Sequence, residues 1–331
     1  MDYRAKLLLL VCGFSVSFSS FAKETASWQH SMQELSNALK DVFPFLYSHS
    51  EFRKPENRPF LLKNFDRLTS VAHGLPGPEG KALIGSGPLF NEIKNSVRSD
   101  LAKAKEHLTA NKYESAQTYG QSAVQKCFAC HTAIQMGPQY PSANQEIMGV
   151  ATPFPRGKIV VFGAIRQFRG ALDFIEKEIH KVKDRTQKME WAKLHLVVSL
   201  RALQDFDSAQ KFIQGLKESN KDSKDLNAVL ERWQSDINNW KSVPAKVQDT
   251  STGNAELNFV ANLQESLNLH NQKDQVSAEE RARIFYKLGK IYRSLGLTEF
   301  SALPGIYFTS CTKENASPAT KELCKKALLE N

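Results

Sequence analysis

Residues 127 to 131 read Cys-Phe-Ala-Cys-His and bring two thiols and an imidazole close together in the chain. On a helix, positions i, i+3 and i+4 lie on one face, so Cys127, Cys130 and His131 would point the same way. Two thiols at this spacing can add across the vinyl groups of a porphyrin, and the adjacent imidazole can bind its iron. The motif therefore predicts one covalent haem c, with Cys127 and Cys130 as thioether attachments and His131 as the proximal iron ligand.

Three other kinds of site would use the same residues. A structural zinc site needs four ligands, and the sequence has no second CxxC once Cys311 and Cys324 are assigned to each other. A thioredoxin-like dithiol opens a helix after a strand, whereas this motif falls near the end of a predicted helix. A disulfide between Cys127 and Cys130 closes badly within a helix and leaves His131 without a role. Covalent haem explains all three residues.

The N-terminus predicts export. Arg4 and Lys6 precede an apolar run that ends in a small-x-small site at residues 20 to 22, the type that signal peptidase cleaves. Residues 1–22 are therefore predicted to be a signal peptide, with a mature chain from about Lys23 in a bacterial periplasm. No later segment approaches the ~18 consecutive apolar residues of a membrane span.

The remaining cysteines and the net charge fit that compartment. Of five cysteines, Cys12 leaves with the signal peptide, and Cys311 and Cys324 lie near the C-terminus. An oxidising compartment predicts a disulfide between these last two. The formal net charge is +9, with lysines and acids interspersed rather than arranged in a basic stripe, so we expect no nucleic-acid partner. The positive charge would favour a redox partner protein with an acidic surface.

The motif needs helices to position it, and apolar residues recur at helical spacing in four stretches between about residues 26 and 136. The first stretch contains Pro44, which we expect to end or kink it. Breakers at residues 74 to 80 follow the second, and the fourth carries the motif and stops before Gly137. Four helices with modest connections predict an antiparallel bundle at residues 23–136.

The second half is also predicted to be helical. Residues 137–158 hold four prolines and no sustained period, and we predict a domain linker there. Helical spacing resumes in residues 159–331, and no strand-like alternation is convincing, so the whole chain is predicted to be all-α. This domain is expected to be a helical bundle. The alternative is a repeat array, since DFDSAQKFIQGL and FYKLGKIY resemble tetratricopeptide repeats. Its candidate helices cover 159–183, 189–203, 206–219, 225–241, 255–270 and 278–295.

CFACH on the last of four helices resembles the cytochrome c′ and cytochrome c-556 family, over roughly residues 26 to 136. The resemblance implies a four-helix bundle with haem on its last helix. It also implies that the other face of the iron carries a methionine in six-coordinate members and lies open in gas-binding members. Met32 lies on the apolar face of the first helix, antiparallel to the end of the fourth, and is our candidate distal ligand. The alternative is that Met32 only packs in the core.

These features together predict a periplasmic monohaem c-type cytochrome that transfers single electrons and is not an enzyme. The alternative is a haem-based sensor or carrier of nitric oxide or carbon monoxide with an open distal site, whose C-terminal helices dock a partner. A third hypothesis is an interaction protein in which haem is mainly structural. A homodimer through the bundle is a further arrangement that this fold allows. The histidines outside the motif, including His195 and His270, show no ligand spacing.

Overall fold

The structure, a computed structural model, describes residues 30–74, 88–133, 155–242 and 254–330, and every regular element in these ranges is helical. The predicted signal peptide, the breaker run after residue 74 and most of the predicted linker lie outside them. Within these ranges, none of the helices combines the length and the apolar character that crossing a membrane requires. The helices are α1 (30–46), α2 (His49–Phe52), α3 (Arg58–Gly74), α4 (Pro88–Thr109), α5 (Tyr113–Ala133), α6 (Pro155–Ala164), α7 (Phe168–Ile179), α8 (Arg185–Leu196), α9 (Phe206–Ser219), α10 (Lys224–Ser242), α11 (Phe259–Gln272), α12 (Ala278–Leu295), α13 (Leu303–Lys313) and α14 (Pro318–Leu329).

Helices α3, α4 and α5 run antiparallel to their neighbours in the chain. Arg58 at the start of α3 donates a hydrogen bond to the carbonyl oxygen of Leu108 at the end of α4, at 3.2 Å. Arg98, further back in α4, donates to the carbonyl oxygen of Ala72 near the end of α3, at 2.7 Å. Helices α4 and α5 are also antiparallel. Asp100 of α4 forms an ion pair with Lys126 of α5, and the ring of His107, further along α4, stacks on that of Tyr119, which comes earlier in α5.

Helix α1 is antiparallel to α3 and lies beside α5. Arg67 of α3 forms an ion pair with Glu34 near the start of α1, at 2.8 Å. The rings of Phe45 and Phe60 meet at the other end of this pair of helices, with centroids 5.4 Å apart. Pro44 does not end α1 at once, because the helix continues for two residues beyond it. The ring of a proline near the C-terminal end disturbs only the last turn.

The C-terminal helices pack directly against the helix that carries the motif. Phe128 of α5 stacks on Phe300, with ring centroids 5.8 Å apart, and Lys313 of α13 forms an ion pair with Glu92 of α4 at 2.5 Å. The predicted linker ran to residue 158, whereas α6 already begins at Pro155. Buried side chains from both halves form one continuous hydrophobic cluster. The predicted division into two domains implies that each half folds independently, and this stays a prediction.

One long helix predicted at residues 159–183 is two helices in the structure, α6 and α7. Arg166 adopts a left-handed conformation with φ 61°. Its N–H donates to the carbonyl oxygen of Gly163 at 3.0 Å, and the N–H of Gln167 donates to that of Phe162 at 2.7 Å. This hydrogen-bond pattern closes a helix in the Schellman manner, for which glycine is the usual residue. The helix prediction was wrong here because an arginine occupies that position.

The C-terminal end is fixed by a disulfide and by a proline that starts a helix. Cys311 of α13 and Cys324 of α14 are disulfide-bonded, with their Cα atoms 6.1 Å apart. Pro304 lies in the first turn of α13, where its missing N–H has no helical partner to lose. In the sequence, Pro304 is expected to interrupt the partner helix that the FYKLGKIY repeat candidate would need. In the structure it lies at the start of a helix.

Candidate functional site

The predicted haem-binding residues occupy the last turns of α5. Cys127, Cys130 and His131 lie on one face of this helix, which ends at Ala133. All three residues are half-buried. The two cysteines are not bonded to each other or to any other cysteine. The structure therefore presents two thiols and an imidazole together on a surface that the described residues leave partly open.

The two sides of α5 that flank the motif are held by close packing. Phe128 is fully buried, and its ring occupies the space above Gly163 of α6, where an added Cβ would lie 2.1 Å from the Cδ2 atom of the ring. Lys126, one residue before the motif, forms a buried ion pair with Asp100 of α4. These contacts on two sides fix the rotation of α5 about its axis. They therefore determine which way the thiols and the imidazole face.

Both thiols are neutral at physiological pH. Burial raises the pKa of Cys127 to about 12, and the neighbouring Cys130 thiol adds to this effect. Burial also raises the pKa of Cys130 to about 11, although the charges of Arg201, Arg166 and Lys273 act in the opposite direction. Dithiol oxidoreductases instead depress the pKa of a reactive cysteine, commonly at a helix N-terminus. The environment at the end of α5 therefore disfavours thiol–disulfide exchange.

His131 is neutral as well. Burial lowers the pKa of its imidazole to about 4, and the positive charge of Arg166 lowers it further, whereas the backbone of Ala164 and Gly163 acts in the opposite direction. Its Nδ1 atom is buried and has no hydrogen-bond partner among the described residues. A buried polar atom without a partner costs free energy, and a neutral imidazole is the form that binds metals. His131 thus has the protonation state that an iron ligand requires.

A cavity of ≈ 50 Å³ adjoins Cys130. The hydroxyl of Tyr307 and the Nε2 atom of His270 are hydrogen-bonded to each other at its wall. The volume suits a carboxylate-sized group or one edge of a macrocycle, but it is smaller than a whole porphyrin. The cavity is lined by Leu89, Phe90 and Ile93 of α4, Ala129, Cys130 and Ala133 of α5, His270 and Lys273 at the end of α11, and Leu303 and Tyr307 of α13.

The donor set fits covalent haem better than a metal ion held by protein side chains alone. Haem attachment needs two unbonded thiols and one imidazole, and all three are present on α5. A protein-only site needs three or more side-chain ligands, and no such group of His, Cys, Asp or Glu occurs in the described part of the chain. Cys311 and Cys324 are not available to complete a zinc site because they are bonded to each other.

Met32 is half-buried on α1. The packing of α1 against α5 indicates which part of α5 lies beside it. The carbonyl oxygen of Leu46 accepts hydrogen bonds from the side-chain amides of Gln117 and Gln121 at 3.0 and 2.6 Å. Met32 precedes Leu46 by fourteen residues. Because equal numbers of residues span equal lengths of helix, the same step along antiparallel α5 leads from Gln117 to His131, near the end of α5.

Several side chains near the motif were missed in the sequence. Arg201 is fully buried in a π-helical segment, Val197–Ala202, that continues α8 and contacts α5. Lys273, His270 and Tyr307 line the cavity beside Cys130. The one available signal was an arginine inside the apolar run from Leu194 to Leu203. The location of Arg201 beside the motif could not be predicted, because it depends on contacts between distant parts of the chain.

Comparison with known proteins identified no relative. No protein-family model, no curated protein and no solved structure matches this chain. The resemblance to cytochrome c′ and cytochrome c-556 accordingly rests on CFACH and on the order of the helices.

Proposed function

We propose that this protein is a monohaem c-type cytochrome in which Cys127 and Cys130 hold haem c through thioether bonds and His131 binds its iron. The observation that carries the proposal is the group of two unbonded, neutral thiols and a neutral imidazole on one face of α5. When bound, the haem would supply a one-electron redox couple. The protein residues would anchor the group, orient it and set its surroundings.

The helices of the N-terminal half support this proposal. Helices α1, α3, α4 and α5 follow one another in antiparallel order through the contacts of Arg67, Arg58 and Lys126, which is the arrangement expected for an up-and-down bundle. We take residues 23–136 as the haem domain of such a bundle. Residues 159–331 extend it with helices whose role the haem alone does not explain.

Met32 is the proposed distal iron ligand; its step of fourteen residues from Leu46, which contacts Gln117 of α5, corresponds to the level of His131 and supports this assignment. A methionine there would complete six coordination and favour electron transfer. If Met32 only packs in the core, the open iron would favour the second function, binding of nitric oxide or carbon monoxide.

Location and partner are part of the same proposal. Covalent haem attachment and the Cys311–Cys324 disulfide both suit an exported protein, in line with the predicted signal peptide at residues 1–22. We propose a periplasmic location and a redox partner with an acidic surface, because the chain has a net charge of +9. A homodimer through the bundle remains part of this hypothesis.

Haem staining after denaturing electrophoresis tests the attachment. The protein would be produced in a bacterium that exports it and matures c-type cytochromes. The full-length protein should stain, because thioether bonds survive denaturation, and the double variant Cys127→Ala, Cys130→Ala should not. The matched control, Cys311→Ala with Cys324→Ala, removes the same number of cysteines and should keep the stain. Purified wild-type protein that contains zinc and no haem would reject the proposal.

A further inference from the structure

A groove of ≈ 460 Å³ lies between α7 and α9 in the C-terminal half of the chain. Both helices pack against α8 and the π-helical segment that continues it. The groove shares no lining residue with the cavity beside Cys130, so it is separate from the proposed haem site. Pockets of roughly 300–1,000 Å³ hold small ligands. This groove therefore has the volume of a ligand-binding site.

A buried histidine holds one side chain on each wall of the groove. His195 of α8 is 0% exposed. Its Nε2 atom lies 3.0 Å from a carboxylate oxygen of Glu176 on α7, and its ring stacks on Phe212 of α9 with centroids 3.6 Å apart. Burial lowers the pKa of the His195 imidazole, although the carboxylates of Glu176 and Asp205 act in the opposite direction. The neutral ring therefore donates a hydrogen bond to Glu176, and both walls are positioned before a ligand binds.

The groove presents one negative and one positive charge that no ion pair neutralises. Two of its three carboxylates are paired with cations at 2.7 Å, in the pairs Asp205–Arg169 and Asp207–Lys241. The third carboxylate, Glu176, has the neutral His195 as its partner. Lys211 also lines the groove and forms no ion pair with the described residues. Glu176 and Lys211 are both exposed, so a ligand with one positive and one negative group can reach both.

Apolar surface completes the lining of the groove. Ile179 of α7 and the side chains of Phe212 and Leu216 on α9 supply it. At Gly215 of α9, an added Cβ would meet no atom within 4 Å, so this helix leaves space there for a ligand. The complementary ligand has an ammonium, a carboxylate and an apolar side chain.

We propose that this groove binds a short peptide with free ends, with Glu176 binding its ammonium, Lys211 its carboxylate and Phe212 contacting an apolar side chain. A peptide of two or three residues separates its charged ends by up to roughly 7–11 Å, whereas a single amino acid carries both charges on one carbon. Charges on two different helices therefore favour the peptide. This binding function does not depend on the presence of haem.

The test measures peptide binding to the exported full-length protein by calorimetry. The probes are the tripeptides Gly-Phe-Gly and Gly-Leu-Gly, each also made with an acetylated N-terminus, with an amidated C-terminus and with both. A single modification removes one charged end and its charge-assisted hydrogen bond, so each should weaken binding at least ~10-fold. The doubly modified peptides should bind most weakly.

Two substitutions assign the ends of the peptide. Glu176→Gln should weaken binding of the free peptide at least ~10-fold and leave the acetylated peptide almost unchanged, because that peptide has no ammonium to lose. Lys211→Gln should show the same pattern with the amidated peptide. A glutamine at position 176 can still accept the hydrogen bond from His195. Glu114→Gln is the matched control, because Glu114 lies on α5 and is 79% exposed, and it should bind like the wild type.

A third substitution blocks the groove without disturbing the fold. Gly215→Leu places a side chain in open space, so it should abolish binding of both peptides and should not lower the melting temperature. Gln214→Leu, at an exposed neighbouring position that does not line the groove, should keep wild-type affinity.

The contradicting results are equally specific. Wild-type protein that binds neither tripeptide, or binding that survives Gly215→Leu, would overturn the inference. Doubly modified peptides that bind as tightly as the free ones would also overturn it and assign the groove to an internal segment of a partner protein. Wild-type protein that binds the free peptides but contains no haem would overturn the proposed function and leave this inference standing.

Discussion

At the scale of single residues, burial determines the chemistry of the site. The thiols of Cys127 and Cys130 have raised pKa values, and His131 has a lowered one. All three are therefore neutral near pH 7. Neutral thiols and a neutral imidazole suit thioether formation and iron binding, whereas a dithiol redox centre needs a thiolate. The sequence shows that two cysteines and a histidine occupy positions 127, 130 and 131. It does not show their protonation states, because these depend on neighbours such as Arg166 that only the fold brings close.

Buried histidines should make the stability depend on pH. Burial lowers the pKa of His270 well below its usual value of 6.5, so the unfolded chain binds a proton below pH 6.5 that the folded chain does not. The free energy of unfolding should therefore fall as the pH drops below 6.5, by about 1.4 kcal/mol for each unit of pKa depression. Urea titrations of the haem-loaded protein between pH 7.5 and 4.5 would measure this loss.

The variant His270→Gln should flatten that pH dependence, since glutamine takes up no proton. His180→Gln is the matched control because His180 is exposed, and it should keep the wild-type slope. Equal slopes in wild type and His270→Gln would show that His270 does not carry the effect.

At the scale of helices, the sequence predicted the existence of α5 and the position of the motif on it. Periodicity succeeded because the apolar face of α5 has a regular spacing. It failed at Arg166, because a left-handed turn without glycine leaves no mark in the sequence. It also could not identify the neighbour of α5, since a buried face shows that a helix packs but not against which partner. The contact between α5 and α6 therefore appeared only in the structure.

That contact predicts opposite effects for two glycine to alanine substitutions. An alanine Cβ at position 163 would lie 2.1 Å from the buried ring of Phe128, so Gly163→Ala should destabilise the protein by about 1–3 kcal/mol. Gly215→Ala meets no atom within 4 Å. Because alanine favours the helical conformation, it should stabilise α9 by about 0.5–1 kcal/mol. Urea unfolding of both variants checks the signs, and a destabilised Gly215→Ala or an unaffected Gly163→Ala would contradict this packing.

The position of α1 against α5 leads to a prediction about the iron. If the Met32 sulfur binds it, the ferrous protein should be low-spin and six-coordinate, and carbon monoxide should bind slowly because it must displace the thioether. Met32→Ala should then accelerate carbon monoxide binding at least ~10-fold, which corresponds to ~1.4 kcal/mol of barrier. Stopped-flow mixing with carbon monoxide measures this rate.

Leu35→Ala, one helical turn further along α1, is the control and should bind carbon monoxide at the wild-type rate. A five-coordinate, high-spin spectrum in the wild-type protein would instead show that Met32 is not a ligand. The gas-binding function would then take precedence over electron transfer.

At the scale of the whole molecule, residues from both halves of the chain surround the proposed haem site. Helix α5 supplies the thiols and the imidazole, while His270, Lys273 and Tyr307 in the wall of the adjoining cavity come from beyond the predicted linker. The sequence could predict an all-α protein because helical spacing is local. It could not predict that residues more than 70 positions from Cys130 would lie beside it, because long-range packing depends on the complementarity of whole faces.

The disulfide at the C-terminus should stabilise this assembly. Cys311 and Cys324 are separated by 13 residues and join α13 to α14. Closing a loop of this size restricts the unfolded chain, so Cys311→Ala with Cys324→Ala should lower the free energy of unfolding by ~3 kcal/mol. Unfolding curves of wild type and variant measure the difference. Peptide mass spectra of the exported protein that show two free thiols, or a second haem on either cysteine, would contradict the pairing.

The intact mass of the exported protein after denaturation tests the central claim most directly. Thiols that add across vinyl groups lose no atoms, so the mass should equal that of the mature chain from about Lys23, less two hydrogens for the Cys311–Cys324 bond, plus one complete haem. Peptide fragments should place the added mass on Cys127 and Cys130. A mass without haem, or one that lacks two further hydrogens because Cys127 and Cys130 are joined in a disulfide, would contradict a c-type cytochrome.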